Sequence, residues 1–218
     1  MILAAGRGDR MRPLTDHTPK PLLQINGKPL IQYHIEKLVG AGIREIVINH
    51  AIMGDQIESC FGNGRRLGAT ITYSAEGNLP LETGGGIFRA LPYLGKDPFI
   101  VINADIWTDY PFQNLPRNLT GLAHLVLVNN PAHNPHGDFT MRDGYVSKQG
   151  TIQYTFSGIG VYSYDLFSQC SAGIFPLAPL IRQAAAKERQ VSAEVYSGIW
   201  IDIGTPERLQ SVLNIIKK

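Results

Sequence analysis

The stretch ILAAGRGDRMRPLTDHTPK, residues 2–20, decides how this chain is read. Ile2, Leu3, Ala4 and Ala5 are apolar and suit the inside of a sheet. They run into Gly6 and Gly8, whose missing side chains let an anion approach main-chain N–H groups. Arg7, Arg10 and Arg12 add positive charge, and a guanidinium can grip phosphate oxygens in pairs. Lys20 stands between Pro19 and Pro21, so a stiffened, extended backbone projects its charge. Together these features make a cradle for a polyphosphate. A lone Gly-x-Gly is more often a plain surface turn; the added Thr18-Pro19-Lys20-Pro21 raises it above that. Neither common nucleotide loop matches, because there is no G-x-x-x-x-G-K-[ST] and Gly6–Met11 is not G-x-G-x-x-G.

Downstream, the hydrophobic pattern alternates between helix and strand periods. Residues 29–39 place Leu30, Ile31, His34, Ile35, Leu38 and Val39 at helical spacing, and Gly40 and Gly42 end the run. Strands are expected at 1–5, 45–49, 69–74, 98–103 and 122–128, and helices at 54–61 and 83–94. The segment 98–103 is nearly all apolar, as in a parallel strand covered on both faces. Such alternation predicts an α/β fold, a Rossmann-like three-layer sandwich on a mostly parallel mixed sheet. Ligands then sit at the carboxyl ends of strands, where Gly6, Gly8, His50 and Asp105 fall. After residue 130 the pattern changes to short strands at 138–142, 145–146, 152–154 and 158–162, then helices at 176–187 and 205–216, with Thr205 as N-cap. No hexapeptide repeat of a C-terminal β-helix is visible.

The chain has 218 residues and a formal net charge of +2, with both signs mixed along it. One large domain over 1–218 is expected, and nothing marks a nucleic-acid or membrane surface. Cys60 and Cys170 have no metal-ligand partners nearby in sequence and read as reduced, buried thiols of a cytoplasmic protein. The apolar start has no basic flank and is too short for a signal peptide; whether a few residues precede it is left open.

Two aspartates each close an apolar strand: Asp105 after Phe99–Asn103, and Asp202 in Trp200-Ile201-Asp202-Ile203-Gly204. An acid in that place is often only a cap or turn residue. Two of them beside a phosphate loop read better as ligands of Mg²⁺, which takes a few carboxylates plus phosphate oxygens and water. The six histidines show no metal-ligand spacing; His34, His50 and His124 are expected to pack structurally. Trp107 and Tyr110 are expected to wall the cleft.

The run LAAGRGDRMRPLT (3–15) followed by TPKPLL (18–23) resembles the signature of sugar-phosphate nucleotidyltransferases, also called nucleotide-sugar pyrophosphorylases. The similarity continues through EIVINHAIMGDQIE, PLETGGGIFRAL, VINADIWTDY, GLAHLVLVNNP and FSGIGVY. It implies that Arg10 and Lys20, with Gly8 and Asp9, hold a nucleoside triphosphate. It further implies nucleotide contacts from Leu3, Ala4, Ala5, Gly6, Glu76, Glu82, Gly85 and Asn103, with Glu76 accepting from the base. Mg²⁺ would sit on Asp105 and Asp202, and the sugar would meet Asp138, Ser157 and Gly158. The implied halves are nucleotide-binding to about residue 128 and sugar-binding from about 129.

Many relatives carry Asn-Ala-Gly where this chain has Phe156-Ser157-Gly158, and an acidic-basic pair where it has Gln153-Tyr154, with Lys148 the only nearby lysine. These departures put glucose, mannose and N-acetylglucosamine phosphates in doubt. They are shared with the branch of the family that joins UTP to N-acetylmuramate α-1-phosphate in peptidoglycan recycling. The alternatives are mannose-1-phosphate guanylyl transfer or glucose-1-phosphate thymidylyl transfer. A nucleotide-sugar-dependent glycosyltransferase would usually show D-x-D where this chain has Asp105-Ile106-Trp107. A non-catalytic nucleotide-sugar-binding regulator would tend to lose Arg12, Lys20 or the aspartates, all retained here. A monomer or weak homo-oligomer is expected.

Overall fold

Ile46 and Ile48 are buried in one core cluster and Val47, between them, in another. Successive strand residues face opposite sides, so this strand needs cover on both faces. The same holds for Ile102 and Val101. The structure, a computed structural model, describes residues 1–147 and 152–216. In chain order its elements are β1 (Ile2–Leu3), β2 (Gln24–Ile25), β3 (Lys28–Pro29), α1 (Leu30–Gly40), β4 (Glu45–His50), α2 (Gly54–Phe61), β5 (Thr70–Ala75), α3 (Glu82–Leu94), β6 (Phe99–Asn103) and β7 (Ile106–Thr108). There follow β8 (Ala123–Val128), β9 (Phe139–Arg142), β10 (Tyr145–Ser147), β11 (Gln153–Tyr162), α4 (Leu177–Ala184), β12 (Val191–Tyr196), β13 (Trp200–Asp202) and α5 (Pro206–Ile216).

Nine strands form one sheet in the order β5-β4-β1-β6-β11-β8-β12-β10-β9. The pairings run β5, β4, β1, β6, β8, β12 and β9 in one direction and β11 and β10 in the other, so the sheet is mixed and mostly parallel. Helices α1 and α2 cover one face through Ile31, Ile35, Leu38, Ile57 and Phe61. Helices α3 and α4 cover the other through Ile87, Leu91, Leu177 and Ile181. Helix α5 packs Leu209 and Val212 on a third cluster with Met11, Ile25, Leu30 and Ile203. This is the Rossmann-like three-layer sandwich, and the described residues form no β-helix.

Several details differ from the sequence reading. Strand β1 is two residues long, not five, because Ala4 leaves the ladder and gives its N–H to Asn49 Oδ1 at 2.9 Å. The segments expected as two strands at 152–154 and 158–162 are one strand, β11, with a bulge between Phe156 and Ile159. Gly158 supplies the bulge: its φ is +80°, and a Cβ there would lie 2.6 Å from Asn103 Nδ2. The hairpin β2–β3 and the strands β7 and β12 were not foreseen, while β13 falls where Asp202 was read as a strand end. Lys148 lies outside the described residues. Cys60 and Cys170 are free but half-buried rather than buried. Trp107 packs on Tyr33, and the Tyr110 hydroxyl donates to Glu194, so both belong to the packing and not to a cleft wall.

Helix α1 anchors β7. His34, fully buried, places Nε2 2.9 Å from Ile106 O, and Lys37 donates to Thr108 O. A carbonyl only accepts, so Nε2 carries the proton and Nδ1, which has no partner, is bare. Burial holds the ring neutral, its pKa lowered from 6.5 to about 4. Below pH 6.5 the unfolded chain therefore takes a proton that the folded chain refuses, and stability falls as pH drops from 6.5 towards 4. We expect His34 to contribute up to roughly 3 kcal/mol to that loss. Urea unfolding across this window checks it: His34→Gln should show a shallower decline than wild type, and equal slopes would contradict the assignment.

Candidate active site

The cradle is built by one left-handed glycine. Gly8 has φ +70°, and its carbonyl accepts from Met11 N–H at 2.8 Å and from the Thr15 hydroxyl at 2.8 Å. A Cβ at position 8 would come within 3.1 Å of Thr15 Cγ2 and 3.3 Å of Lys20 Cβ. The loop thus folds back on Thr15 and Lys20 only because residue 8 has no side chain. Met11, fully buried, pins the single 3₁₀ turn Asp9–Met11 to the α5 cluster. Arg7 and Arg10 stay exposed. Arg12 lies 3.5 Å from both Asp9 and Asp16, an exposed arrangement that braces the loop only weakly.

Lys20 is 8% exposed, and its Nζ donates to Asp105 Oδ2 at 2.5 Å. A buried ammonium is costly unless paired, so this contact holds the lysine in place. Asp105 lies between β6 and β7, and Asp202 ends β13. The antiparallel pairing of β7 with β13 sets Asp202 opposite Ile106, and Ile203 N–H donates to Asp105 O at 2.7 Å. Two aspartates nearly a hundred residues apart in sequence are therefore brought to neighbouring positions of one ladder by their backbones. Asp202 has its own partners: Arg208 donates to Oδ1, and His133 Nε2 lies 2.8 Å from the same oxygen. Among the described residues no group of three or more His, Cys, Asp or Glu side chains could close around a metal ion. Two carboxylates that already draw positive charge fit an ion such as Mg²⁺, which takes its remaining ligands from phosphate and water.

The cradle opens into a cleft of ≈ 500 Å³ whose lining includes Gly6, Gly8, Asp9, Arg10, Lys20, Pro80, Asp105 and Gly204. An adjoining recess of ≈ 190 Å³ is lined by Leu3, Ala4, Ala5, Gly6, Lys20, Asn49, Pro80, Glu82, Thr83, Asn103 and Asp105, among others. Together the two match a polyphosphate beside a flatter, more apolar group. A larger hollow of ≈ 700 Å³ opens at the opposite edge of the sheet around Met1, Arg44, Glu45, Thr70 and Phe99, away from the glycines and both carboxylates. Binding at the carboxyl edge of the strands is the rule for this architecture, so the smaller cleft is the candidate site.

Five expected site residues are engaged elsewhere. Glu76, 9% exposed, accepts from Asn49 Nδ2 at 2.6 Å and from Leu81 N–H at 2.7 Å, so both of its oxygens clamp the β5–α3 turn. Gly85 faces Gly173, whose carbonyl would stand 2.2 Å from a Cβ; its glycine serves helix packing. Asp138 Oδ2 accepts from Phe156 N–H at 2.8 Å. The Ser157 hydroxyl donates to Val126 O at 2.6 Å and accepts from Ile159 N–H at 3.1 Å, inside the bulge. Gly158 is the bulge itself, packed on Asn103. Sequence reading missed Asn49, Pro80 and Thr83 on the recess wall, and Arg208 and His133 on Asp202. Asn49 left one signal, a polar residue at the end of an apolar strand.

Comparison with known proteins identifies the family. The sequence profile of the family described as "Nucleotidyl transferase" matches residues 1–153. The chain is 48% identical to N-acetylmuramate alpha-1-phosphate uridylyltransferase of Neisseria meningitidis serogroup B, over 96% of this chain and 94% of that protein. It is 31% identical to the protein of the same name from Caulobacter vibrioides, over 95% of this chain and 92% of that one. It is 29% identical to the mannose-1-phosphate guanylyltransferase catalytic subunit beta of Xenopus tropicalis, of which it spans 61%. In fold it is similar to a putative glucose-1-phosphate thymidylyltransferase from Bacillus anthracis, with TM-score 0.85, 23% identity and coverage of 100% of this chain and 94% of that one. The glycine cradle, the paired lysine and the two strand-end aspartates are thus those of a chain that belongs to the nucleotidyl transferase family, among its sugar-phosphate nucleotidyltransferases.

Proposed function

We propose that this enzyme transfers a uridylyl group from UTP to N-acetylmuramate α-1-phosphate, giving UDP-N-acetylmuramate and pyrophosphate, within peptidoglycan recycling in the cytoplasm. The observation that carries the reading is the cleft where the Gly6–Gly8 turn, Lys20 and Asp105 converge. The 48% identity to the Neisseria enzyme over nearly its whole length supports the sugar.

The sugar phosphate is its own nucleophile. A phosphate monoester has its second pKa near ~6 and is largely dianionic at neutral pH, so no general base is needed. Its oxygen attacks the α-phosphorus of UTP in line, the bond to the β-phosphate oxygen breaks, and pyrophosphate leaves with the electron pair. Little covalent chemistry falls to the protein; positioning and charge carry the rate. N–H groups of Gly8 and Asp9 hold the triphosphate, with Arg10 over its outer oxygens. Lys20, rigid between two prolines, faces the charge that develops as pyrophosphate departs. Asp105 and Asp202 would hold Mg²⁺, which supplies charge neutralisation at phosphate oxygens. Leu3, Ala4, Ala5, Glu82 and Asn103 receive the nucleoside in the recess. Residues to about 128 form the nucleotide half and those from about 129 the sugar half, both on one sheet.

The second reading is guanylyl transfer to mannose 1-phosphate, which the Xenopus relative at 29% identity keeps in view. Pyrophosphate release with Mg²⁺ separates the two: we expect it with UTP and N-acetylmuramate α-1-phosphate, and a preference for GTP with mannose 1-phosphate would replace the substrate. Asp105→Asn should lower kcat, measured per folded enzyme, by ~100-fold or more, since one charge holding the cation is lost, and should also lower Tm, because the buried Lys20 ammonium loses its counter-charge. A kcat near wild type in that variant would contradict the role of Asp105.

A further inference from the structure

Arg208 and His133 converge on a single carboxylate oxygen. Arg208 donates to Asp202 Oδ1, and His133 Nε2 lies 2.8 Å from that oxygen and 3.0 Å from Arg208 NH1. The side chains of Arg208 and Asp202 are 19% and 23% exposed, so the pair is largely withdrawn from water. The two donors arrive from different walls. Arg208 projects from the first turn of α5, and His133 from the loop joining β8 to β9. That loop is braced: Asn134 Nδ2 donates to the Thr155 hydroxyl at 3.1 Å, and Asn130 Nδ2 to Gln153 O at 3.0 Å. Gly204, on the cleft lining with Asp105, makes room for the guanidinium, since a Cβ there would stand 2.3 Å from Arg208 NH2. The arrangement is a carboxylate receptor beside Gly204 of the cleft lining, built on the Arg208 guanidinium with His133 next to it and filled by the chain's own Asp202.

The function proposed above asks Asp202 to turn to the cation. Arg208, 19% exposed, is then left with an unmet donor in a partly desolvated site, which is costly, while His133 beside it stays exposed. A neutral hexose phosphate offers only hydroxyls to them. N-acetylmuramate carries a carboxylate on its ether-linked lactyl group, which can take the place Asp202 gave up and match the planar fork of the guanidinium. We infer that Arg208 and His133 select acidic sugar 1-phosphates over neutral ones by binding the sugar's carboxylate once Asp202 is engaged elsewhere. The inference rests on the proposed function, because it concerns the sugar of that same site.

The test compares kcat/KM for N-acetylmuramate α-1-phosphate with that for N-acetylglucosamine α-1-phosphate, which lacks only the lactyl group. Kd values from calorimetry with a non-hydrolysable UTP analogue give the same ratio without turnover. Wild type should favour the acid, and Arg208→Gln should cut the preference by ~10-fold or more, in both rate and Kd. His133→Gln, on a more exposed side chain, should cut it by a smaller factor and guards against misfolding of the first variant. Equal losses on both sugars, with the preference intact, would overturn the inference and leave the function standing, since Arg208 would then act only by orienting Asp202. If wild type releases no pyrophosphate with the acidic sugar, the proposed function itself fails and the inference falls with it.

Discussion

Three residues of ladder hold this active site together. Strands β7 and β13 form a separate two-stranded sheet, and their register sets Asp202 one residue away from Asp105 across the ladder. Everything else in the site is arranged around that junction. Helix α1 holds β7 from behind through His34 and Lys37, and α5 holds β13 through the Met11–Ile203–Val212 cluster, which also contains the end of the phosphate loop. A disturbance in any of these is felt at both carboxylates, because short strands have little hydrogen bonding of their own and depend on what packs against them.

Charge is balanced inside the site. Lys20 neutralises Asp105 and Arg208 neutralises Asp202, with His133 beside the same oxygen. The costly group to leave unpaired is the buried ammonium of Lys20. The arrangement keeps the chain stable without ligand, and it also means that a cation and phosphates enter by exchange. Were Asp105 and Asp202 to hold a metal ion as proposed, Lys20 and Arg208 would be freed for the phosphates and the sugar.

The large elements were legible in sequence because their patterns are long. Helix α2 was placed at 54–61 as observed, and β4, β5, β6 and β8 fall within a residue or two of expectation, since buried strands and amphipathic helices impose periods that few other arrangements satisfy. The phosphate loop was legible for a different reason: Gly8 and Lys20 are demanded by backbone geometry and by charge, and both leave chemical traces. What failed to show was tertiary. Trp200-Ile201-Asp202 reads as a strand end, but nothing local says that it pairs with residues 106–108. Glu76, Gly85 and Ser157 have the right residue types in the right segments, yet their oxygens and close contacts are taken up by the chain itself. Residue type cannot reveal that a carboxylate already has two N–H partners. His133 and Arg208 carried no motif, and only the fold brings them onto Asp202.

The most direct test of the account is to locate the metal. Crystals grown with Mn²⁺, UTP analogue and sugar 1-phosphate give an anomalous signal that fixes the ion without assumption about its ligands. The account predicts one strong peak within bonding distance, about 2.1 Å, of oxygens from both Asp105 and Asp202. It also predicts that Lys20 and Arg208 have moved off those oxygens. A peak held by phosphate alone, with Lys20 still on Asp105 and Arg208 still on Asp202, would contradict it.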